Sequence, residues 1–471
     1  MSLGVRAGTA VLAVDPVRPE VPHPYWTMER VAQALGTAPW PALPLAGIST
    51  DTRTLRPGDC FVALVGEHHD AHDHLAQAKA AGAAALVVQD ATRAVGLGLP
   101  TCVVPDTLVA LGQLATAWRR AWGGTVVAVA GSNGKTSTKE LLRAALGAEL
   151  PVHATHGNLN NRVGVPLTLL AIPAHATMAV VEVGTNMPGE VALLRAVAEP
   201  EIAVVTSIGE EHLEGLGDLQ GVLREEAEIL HGVALAVIPS AHPELEPLAR
   251  ARAQQVVRAG LPEQGTAELV PAAWGLDGDG CPWFDLDGLR GTLPLRGAHQ
   301  AANAMLALAV ARACGVSTVA ATHGMAAMPV PSMRGVWTPI GRAVLLNDAY
   351  NANPASMRAA LSLLASVGSD RQRVAILGTM RELGPQSGAQ HRAVARAALE
   401  SPADLLVGIG EFADAFADEG ADARVITCQT LDGVWPLLEP RLNADALILL
   451  KASRGTQLER LIPQLTTWAT R

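Results

Sequence analysis

Short apolar runs without interior charge recur along this chain, and most of them are followed by stretches with helical spacing. Such runs, bounded by glycine or polar residues, are typical of strands buried on both faces of a parallel sheet. The alternation predicts an α/β protein with three domains. The predicted domains cover residues 25–122, 123–330 and 331–471, with a flexible extension over residues 1–24.

The three predicted domains differ in pattern. The first is a small α/β domain, with strands predicted at 60–65, 85–88 and 101–104. The central domain has longer buried strands and opens with a glycine-rich loop. The third has the regular strand–helix alternation of a doubly wound, Rossmann-like sheet. Its strands are predicted at 344–346, 374–377, 405–409, 424–426 and 446–450.

The glycine-rich loop follows the first strand of the central domain, predicted at 125–130. Gly131 and Gly134 allow successive backbone N–H groups to converge on an anion at the start of the next helix. Lys135 can reach phosphate oxygens, and the hydroxyl of either following residue suits Mg2+. The predicted nucleotide-binding loop consists of Gly131, Ser132, Asn133, Gly134, Lys135, Thr136 and Ser137.

This loop departs in one place from the strict Walker pattern, which requires glycine at position 129, where the chain has valine. The strand–loop–helix context carries the prediction instead. The alternative is a glycine-rich turn with an incidental lysine. The context favours a nucleoside triphosphate as the ligand.

Two residues at later strand ends are candidate metal ligands. Glu182 lies near the end of the strand predicted at 178–183, and His212 follows the strand predicted at 202–206. Ligands gather at the carboxyl ends of parallel strands, so we expect both residues to meet the phosphate loop. Singly, they are as well explained as an ordinary strand-end acid and a loop histidine. Together with the loop they predict a Mg2+ site, since Mg2+ prefers oxygen ligands.

Two polar segments of the first domain allow two interpretations each. Ser49, Thr50, Asp51 and Arg53 can hold a ribose, uracil or diphosphate through hydroxyl, carboxylate and guanidinium groups, or they can form a solvated connector. The stretch 67–74 contains four histidines, which suggests a metal site. Histidines in an exposed loop without a distant partner ligand more often face solvent, and we favour that interpretation.

Further candidates lie late in the chain. His299 and Asn303 are four residues apart and share a helical face, where they can meet an adenine ring; Asn303 is alternatively the cap of a helix predicted at 304–312. Asn353 can cap a helix that starts at the following proline, which makes a candidate binding edge. Lys451 and Arg454 follow the last strand, where two cations can meet phosphate.

Composition narrows the classes of function. The 471 residues are 49% hydrophobic and 17% charged, which is typical of globular rather than disordered chains. A net charge of −10 argues against a general nucleic-acid binder. No apolar run is long and charge-free enough to span a membrane. Five scattered cysteines indicate a reducing compartment, so we expect a cytoplasmic protein, and we predict a monomer.

Together these motifs resemble the Mur ligases, in particular the MurF type, which adds D-alanyl-D-alanine to UDP-N-acetylmuramoyl-tripeptide. The resemblance extends from Trp26 to the C-terminus. The run Tyr-Asn-Ala-Asn-Pro at 350–354 discriminates most, because related ligases that add single amino acids differ there. The other motifs are Ser49-Thr-Asp-Thr-Arg53, Gly131-Ser-Asn-Gly-Lys-Thr136, Gly157-Asn-Leu-Asn-Asn161, Glu182-Val-Gly-Thr-Asn186, Glu211-His-Leu-Glu214, His299 with Asn303, and Lys451-Ala-Ser-Arg454.

The resemblance implies an ATP-driven amide ligation, with the uridine end in the first domain, ATP and Mg2+ in the central domain and the dipeptide in the third. The substrate carboxylate would form an acyl phosphate, from which the dipeptide amine would displace phosphate. The implied catalytic and metal residues are Lys135, Thr136, Glu182, His212 and Glu226, and the further ATP contacts are His299, Asn303, Arg334 and Asp348. The implied substrate contacts are Ser49, Thr50, Asp51, Arg53, Asn158, Asn160, Asn161, Tyr350, Asn351, Asn353, Lys451, Ser453 and Arg454.

One position departs from the family pattern. These ligases usually carry a carbamylated lysine after the histidine loop, and its carbamate helps to hold a second Mg2+; the aligned residue here is Glu226. No lysine lies between Lys139 and Lys451 to take its place. We hypothesise that Glu226 supplies the carboxylate directly. The alternative is that Glu225, Glu226 and Glu228 form a solvated helix face.

Two other functions fit part of the sequence. One is a sister ligase that adds a single amino acid to a muramoyl precursor or glutamate to folate, which the run at 350–354 disfavours. The other is a nucleotide-binding relative without catalysis, which the intact phosphate loop and its acid and histidine partners disfavour. Weaker departures concern Thr379 and Arg381, where the family tends to carry acids, and residues 240–242, which lack the usual Asn-Ala-Asp.

Overall fold

Four β-sheets with packed helices make up residues 25–471, the part of the chain that the computed structural model describes. The extension predicted for residues 1–24 lies outside the described residues. Every strand pairing in the first two sheets is parallel, and the last sheet is parallel except at one edge. The predicted α/β fold class is confirmed.

The first sheet has four short parallel strands. Its unit contains α1 (Met28–Leu35), β1 (Ile48–Ser49), β2 (Cys60–Val62), α2 (Leu75–Ala80), β3 (Ala85–Val88), β4 (Thr101–Val103) and α3 (Thr107–Trp122). The strand predicted at 60–65 ends at Val62, because the N–H of Leu64 bonds back to the Val62 carbonyl at 3.1 Å. The side chain of Asp106 caps the start of α3, which leads directly into the central unit.

The central unit holds a six-stranded parallel sheet in the order β10-β9-β8-β5-β7-β6. Its elements are β5 (Thr125–Ala130), α4 (Lys135–Gly147), β6 (Val152–Ala154), α5 (Gly164–Leu170), β7 (Met178–Glu182), α6 (Glu190–Ala198), β8 (Ile202–Val205), α7 (Leu213–Leu216), α8 (Leu219–Glu226), β9 (Leu235–Pro239), α9 (Leu245–Arg252) and β10 (Gln255–Ala259). β5 lies between β7 and β8 and is buried along its whole length. The strand order changes direction there, so a crevice opens at the carboxyl end of β5.

A small antiparallel sheet and two helices complete the central unit. They are β11 (Ala273–Leu276), β12 (Pro282–Leu286), β13 (Leu289–Thr292), α10 (Ala298–Ala313) and α11 (Thr318–Ala326). α10 packs against α4 and starts six residues before the predicted helix. Its N-cap is Gly297, so Asn303 lies inside the helix and the alternative that it caps the helix is wrong.

The third unit holds a six-stranded sheet in the order β14-β15-β19-β16-β17-β18, in which only β14 is antiparallel. Its elements are β14 (Val336–Ile340), β15 (Ala343–Asn347), α12 (Pro354–Ser366), β16 (Arg373–Gly378), α13 (Ser387–Glu400), β17 (Leu405–Ile409), α14 (Glu411–Glu419), β18 (Val425–Cys428), α15 (Val434–Leu438), β19 (Leu447–Lys451) and α16 (Ile462–Ala469). Because β19 lies between β15 and β16, the loops that follow these three strands lie side by side at one sheet edge.

Candidate active site

The loop that follows β5 has the geometry of a phosphate-binding loop. Gly131 and Gly134 have φ values of +116° and +86°, which residues with a Cβ rarely adopt. A Cβ at Gly131 would lie 2.5 Å from Thr206 Oγ1, so the neighbouring strand end leaves no room for one. α4 begins at Lys135, and its first N–H groups have no partners within the helix. These groups are the donors that the predicted anion site requires.

A cleft of about 720 Å³ opens over this loop, between the central and third units. The sequence-predicted residues that line it are Ser132, Asn133, Gly134, Lys135, Thr136, Ser137, Asn158, Asn160, Asn161, Glu182, His212, His299, Asn303, Arg334, Asp348, Tyr350, Asn351, Asn353, Lys451 and Arg454. Glu226 and Ser453 are buried and do not line the cleft. Ser49, Thr50, Asp51 and Arg53 are not part of it.

Lys135 lies at the floor of the cleft among acids. Its Nζ donates to two carbonyls of the phosphate loop at 2.5 and 3.2 Å and lies 3.3 Å from Glu211 Oε1. Burial alone would lower the pKa of Lys135, but Glu211, Glu226 and Glu182 raise it above its ordinary value. Burial raises the pKa of Glu211, and Lys135 opposes that rise. The lysine is therefore held charged, beside acids that it partly neutralises.

Three oxygen atoms around the phosphate loop are buried without a hydrogen-bond partner: Thr136 Oγ1 and Glu182 Oε2, whose residues line the cleft, and Glu226 Oε1 beneath the loop. The other oxygen of each acid is engaged. Glu182 Oε1 accepts from Asn160 Nδ2 at 2.9 Å, and Glu226 Oε2 accepts from the N–H of Gly131 at 2.6 Å. A buried oxygen without a partner is costly, so a set of three points to a ligand that binds oxygen.

Mg2+ fits these residues, because it takes hard oxygen ligands and completes its shell with water and phosphate oxygens. In residues 25–471 no three His, Cys, Asp or Glu side chains are grouped closely enough to hold a metal ion by themselves. An ion here would therefore depend on the Thr136 hydroxyl and on nucleotide phosphates as well as on the acids.

Glu226 is fully buried, at 0% exposure. Burial raises its pKa to about 7, against the opposing effect of Lys135. The alternative of a solvated face is wrong for Glu225 as well, since its carboxylate accepts from the N–H groups of Gly189 and Val191 at 2.8 Å each and so caps α6. Glu228 is partly buried against an arginine. The segment thus directs Glu226 under the phosphate loop.

His212 adopts a left-handed backbone conformation, with φ of +51°. Its Nδ1 lies 2.5 Å from Glu382 Oε2 of the third unit, although the approach is not aligned as a hydrogen bond. Its Nε2 faces Glu211, with 3.9 Å between Nε2 and the nearer carboxylate oxygen. Burial would lower the pKa of His212, and contact with Glu382 and Glu211 raises it overall. The imidazole therefore sits between acids of two units.

α10 forms the wall opposite α4. A Cβ at Gly134 would lie 3.0 Å from Asn303 Nδ2, so the helix passes directly over the phosphate loop. Gln300 joins three partners: its Nε2 lies 3.4 Å from Ser137 Oγ and 3.0 Å from His299 Nε2, and its Oε1 accepts from Asn303 at 3.1 Å. The pKa of His299 is lowered, because the cleft walls around the ring reduce its hydration although the residue keeps an exposed surface. A neutral imidazole and two amides thus face the loop.

In the third unit, the predicted cation Lys451 is not free to meet phosphate. Only 3% of the residue is exposed, and its Nζ lies 2.8 Å from Asp348 Oδ2 and 2.8 Å from the Asn351 carbonyl. Arg454 donates to Glu459 Oε1 at 2.7 Å but remains exposed. The acid that neutralises Lys451 lies 103 residues earlier in the chain, which sequence spacing alone does not reveal.

Asn353 connects the third unit to the phosphate loop. Its Oδ1 accepts from the N–H of Ser356 at 2.9 Å, which confirms the predicted cap of α12. Its Nδ2 donates to Asn133 Oδ1 at 2.9 Å across the cleft. Nearby, the guanidinium of Arg334 lies 4.2 Å from the centre of the Tyr350 ring. The start of α12 therefore points at the nucleotide loop.

The two uncertain segments of the first unit bond mainly within themselves, and the favoured solvent-facing position is wrong for His72, which is buried and also bonds to Gln89. Arg53 donates to both carboxylate oxygens of Asp51, at distances from 2.6 to 3.1 Å, and this pairing lowers the Asp51 pKa to about 2. Ser49 bonds to the carbonyl of the same aspartate. In the histidine-rich stretch, His72 is buried and its Nδ1 lies 2.6 Å from Asp70. Its other nitrogen accepts a backbone N–H, so no metal ligand is left on that ring.

This geometry coincides with similarity to known proteins. The UDP-N-acetylmuramoyl-tripeptide–D-alanyl-D-alanine ligase of Bacillus subtilis is 33% identical over 449 residues, 93% of this chain and 96% of that one. The enzyme of the same name from Escherichia coli is 36% identical over 431 residues, 89% of this chain and 94% of that one. The chain belongs to the Mur ligase family.

Three segments of this Mur ligase match family domains. Residues 44–119 match the Mur ligase family catalytic domain, 129–311 the Mur ligase middle domain and 335–454 the Mur ligase glutamate ligase domain. The crystal structure of MurF from Acinetobacter baumannii superposes with a TM-score of 0.86 at 30% identity, covering 94% of this chain and 99% of that one. Over residues 25–471 of this Mur ligase, every helix is too short or too polar to cross a membrane.

Three residues of this site were missed by sequence reasoning: Glu211, Gln300 and Glu382. Glu211 is next to His212, and Gln300 lies between His299 and Asn303 in the printed sequence. Their proximity to predicted residues was a usable signal. Glu382 reaches the cleft only through a contact between units, and no local pattern indicates it.

Proposed function

We propose that this Mur ligase joins D-alanyl-D-alanine to UDP-N-acetylmuramoyl-tripeptide, with ATP converted to ADP and phosphate, as a cytoplasmic step of peptidoglycan precursor synthesis. The relatives that carry this activity in their names support it. The observation that carries the proposal is the cleft itself. There the phosphate loop faces the start of α12 across the hydrogen bond between Asn133 and Asn353.

The central face of the cleft binds ATP and its Mg2+. Backbone N–H groups of the loop hold the phosphates, and Lys135 neutralises charge on the transferred group. Thr136, Glu182 and Glu226 would hold Mg2+ through their unpartnered oxygens, together with His212. When bound, Mg2+ would supply a compact positive charge that offsets the negative charge of the phosphates. His299 and Asn303 on α10, with Arg334 and Asp348, contact the nucleotide.

The reaction is an activation followed by a displacement. The substrate carboxylate attacks the γ-phosphorus, the bond to the bridging oxygen breaks, and ADP leaves an acyl phosphate behind. The dipeptide amine then attacks the acyl carbon, loses a proton and expels phosphate. Amide formation needs this activation because the carbon of a free carboxylate is a poor electrophile for the amine. The walls of the cleft limit the access of water to the acyl phosphate.

The tripeptide and dipeptide sites are assigned to the flanking units. The loop of Ser49, Thr50, Asp51 and Arg53 binds the uridine end, and the dipeptide meets Tyr350, Asn351 and Asn353 with Arg454. The buried Lys451 and Ser453 support this surface through the carbonyls of Asn351 and Ala352. Asn158, Asn160 and Asn161 bind the substrate beside the metal. The hydrogen bond from Asn160 to Glu182 supports that last position, since it joins this loop to a metal ligand.

Glu226 takes the place of the carbamylated lysine that other Mur ligases use. Its burial, its unpartnered Oε1 and its pKa near 7 support this role, because an ion at that oxygen would hold the acid ionised. The absence of any lysine from 140 to 450 supports it further. Ligation is therefore independent of added bicarbonate.

Phosphate release tests the function directly. The purified protein is supplied with ATP, Mg2+, D-alanyl-D-alanine and UDP-muramoyl-tripeptide, in separate reactions with diaminopimelate or lysine as the third residue. We expect phosphate release only when both organic substrates are present, and the ligated product by mass spectrometry. Single amino acids in place of the dipeptide give the matched control.

Each negative result has a distinct meaning. Release with a single amino acid but not with the dipeptide would favour a sister ligase. Nucleotide binding without phosphate release, with the full substrate set, would favour a relative without catalysis. Either result would overturn the proposed function.

A further inference from the structure

A loop of the third unit reaches into the central unit at the metal side of the cleft. Residues 379–382 follow β16, and Glu382 ends this segment with its Oε2 2.5 Å from Nδ1 of His212. The N–H of Glu214 also donates to the Glu382 carbonyl at 3.2 Å. Backbone and side chain of one residue therefore contact the start of α7 in the other unit, at Glu214 and at the N-cap His212.

The loop is fixed from its own side as well. The N–H of Met380 donates to Nε2 of His391 at 2.9 Å, and the N–H of Arg381 donates to Ser453 Oγ at 2.9 Å. His391 is buried on α13, and Ser453 follows β19. Three consecutive residues thus have a backbone group bonded to a different element. These backbone hydrogen bonds fix the position of Glu382 and therefore the direction of its side chain.

Both residues of the contact have backbone conformations that favour glycine. His212 has φ of +51° and Glu382 has φ of +66°. Such conformations cost about 1 to 3 kcal/mol for residues with a Cβ, and they persist where surrounding contacts hold them. Two of them facing each other across a boundary between units indicate that the juxtaposition itself is maintained.

The two ring nitrogens of His212 face opposite partners. Nδ1 faces Glu382, and Nε2 lies 3.9 Å from Glu211 Oε2, whose other carboxylate oxygen lies 3.3 Å from Lys135 Nζ at the phosphate loop. A carboxylate at one nitrogen fixes the tautomer and directs the other nitrogen to its ligand. Contacts of this kind are often poorly aligned before a ligand binds and tighten afterwards.

We propose that Glu382 is a positioning residue, supplied by the third unit, that holds Nδ1 of His212 so that Nε2 faces the metal–nucleotide site. The side chain of His212 is then oriented only while the third unit is docked on the central unit. Metal binding and docking of the dipeptide-binding unit are thereby linked through one histidine. This inference rests on the nucleotide site of the proposed function.

Binding of Mn2+ as a probe for Mg2+ tests it without turnover. The full-length protein is titrated with Mn2+ in the presence of ADP, and bound metal is followed by electron paramagnetic resonance. We expect Glu382→Ala to weaken Mn2+ binding about 10-fold or more, the range typical of a lost carboxylate partner of a metal-binding histidine. Glu382→Gln retains part of the affinity, because its amide oxygen can still accept from Nδ1. Glu214→Gln, in the first turn of α7 and with its backbone bond to Glu382 intact, binds as the wild type does.

Two further measurements separate positioning from a general structural role. In a His212→Ala background, Glu382→Ala should cause no additional loss of Mn2+ affinity, because its effect passes through the histidine. The 15N shifts of the His212 ring, with ADP and Mg2+, should report a proton on Nδ1 in the wild type. Glu382→Ala should lose that preference while its thermal unfolding remains cooperative.

The possible results are distinguishable. Wild-type affinity for Mn2+ in Glu382→Ala, or an equal further loss in the His212→Ala background, would overturn the positioning role. A wild-type protein that takes up no Mn2+ with ADP would overturn it together with the proposed nucleotide site. Normal Mn2+ binding, without phosphate release from ATP when the muramoyl substrates are present, would refute the proposed function alone. The role of Glu382 would then stand.

Discussion

The two faces of the cleft differ in what their polar side chains are bonded to. On the central side, Thr136 and Glu182 at the cleft and Glu226 beneath the phosphate loop each keep a buried oxygen without a partner. On the third-unit face, Lys451 is bonded to Asp348 and to a backbone carbonyl within its own unit. Both faces look equally polar in the sequence. The central side has three unpartnered buried oxygens beside the phosphate loop, whereas the buried cation of the third-unit face is paired.

This difference distinguishes polar groups that lack a partner until a ligand binds from polar groups that are already paired and shape the binding surface. Each unpartnered buried polar atom costs on the order of 1 to 3 kcal/mol, a cost that ligand binding can reverse. Charges that satisfy each other gain nothing comparable from a ligand. Substitution of the unpartnered groups should therefore affect activity most, whereas substitution of the paired Lys451 should mainly affect stability.

The largest expected effect is on turnover, from Glu226→Ala. Loss of a metal-binding carboxylate removes several kcal/mol of charge stabilisation, so we expect phosphate release to fall about 1,000-fold. Glu228→Gln, on the same segment and paired with an arginine, should leave the rate within about 3-fold of wild type. Rates are compared under saturating Mg2+ with and without bicarbonate.

A lysine in place of Glu226 tests directly whether this glutamate replaces a carbamylated lysine. Glu226→Lys should regain part of the lost activity only when bicarbonate is added, because a carbamate restores the carboxylate. Near-normal turnover of Glu226→Ala at ordinary Mg2+ would remove this residue from the site.

The next effect is on stability, where substitution of Glu226 should be favourable instead of harmful. Burial raises the pKa of Glu226 to about 7, whereas an unfolded glutamate ionises near 4.5. The folded protein therefore keeps a proton that the unfolded chain has lost between these values, and its stability falls as pH rises through this window. Glu226→Gln removes this loss. In urea unfolding without ligands, the variant should exceed the wild type at pH 8 by on the order of 2 to 3 kcal/mol, and by little at pH 4.5.

Lys451→Met should act in the other direction. It leaves Asp348 without its cation, and because that carboxylate is 25% exposed, the cost should be smaller than for a fully buried pair, about 2 kcal/mol. The double variant with Asp348→Asn should recover most of the loss. Melting temperatures of the three variants and the wild type form a complete cycle. If Lys451→Met unfolds like the wild type but loses nucleotide binding, then the pair of Lys451 and Asp348 serves ligand binding and not stability.

Sequence patterns were sufficient for the parts of this molecule that depend on neighbours along the chain. The buried run of β5 and its glycine-rich loop predict their own structure, and the cap of α12 at Asn353 is equally local. The sequence pattern places the start of α10 six residues too late. The polar residues of its first turn, which look like a loop in the sequence, face the first turn of α4. Lys451 and Glu382 were misjudged or missed because their partners lie far away in sequence and are brought close only by the packing of sheets and units.

The smallest expected effect concerns the framework behind Glu382. His391 is buried, its Nε2 accepts the N–H of Met380 and its Nδ1 lies 2.8 Å from the Ser387 carbonyl, an arrangement that requires a neutral ring. Burial lowers the pKa of His391 below its ordinary 6.5, against the opposing effect of Glu411. An unfolded chain takes up a proton near pH 6.5 and the folded one does not, so stability present above that pH is lost as the pH falls.

The loss should approach about 1.4 kcal/mol per pH unit below 6.5, until the folded ring itself is protonated. His153 and His299, whose pKa values are also lowered, add slopes of the same sign, so the difference between the wild type and His391→Gln isolates this one. The exposed His68→Gln serves as control and should follow the wild type. Parallel curves for His391→Gln and the wild type between pH 5 and 7.5 would mean that the ring does not hold the loop. If the curves differ and Mn2+ binding with ADP weakens over the same pH range in the wild type alone, the neutral histidine is acting through the loop that carries Glu382.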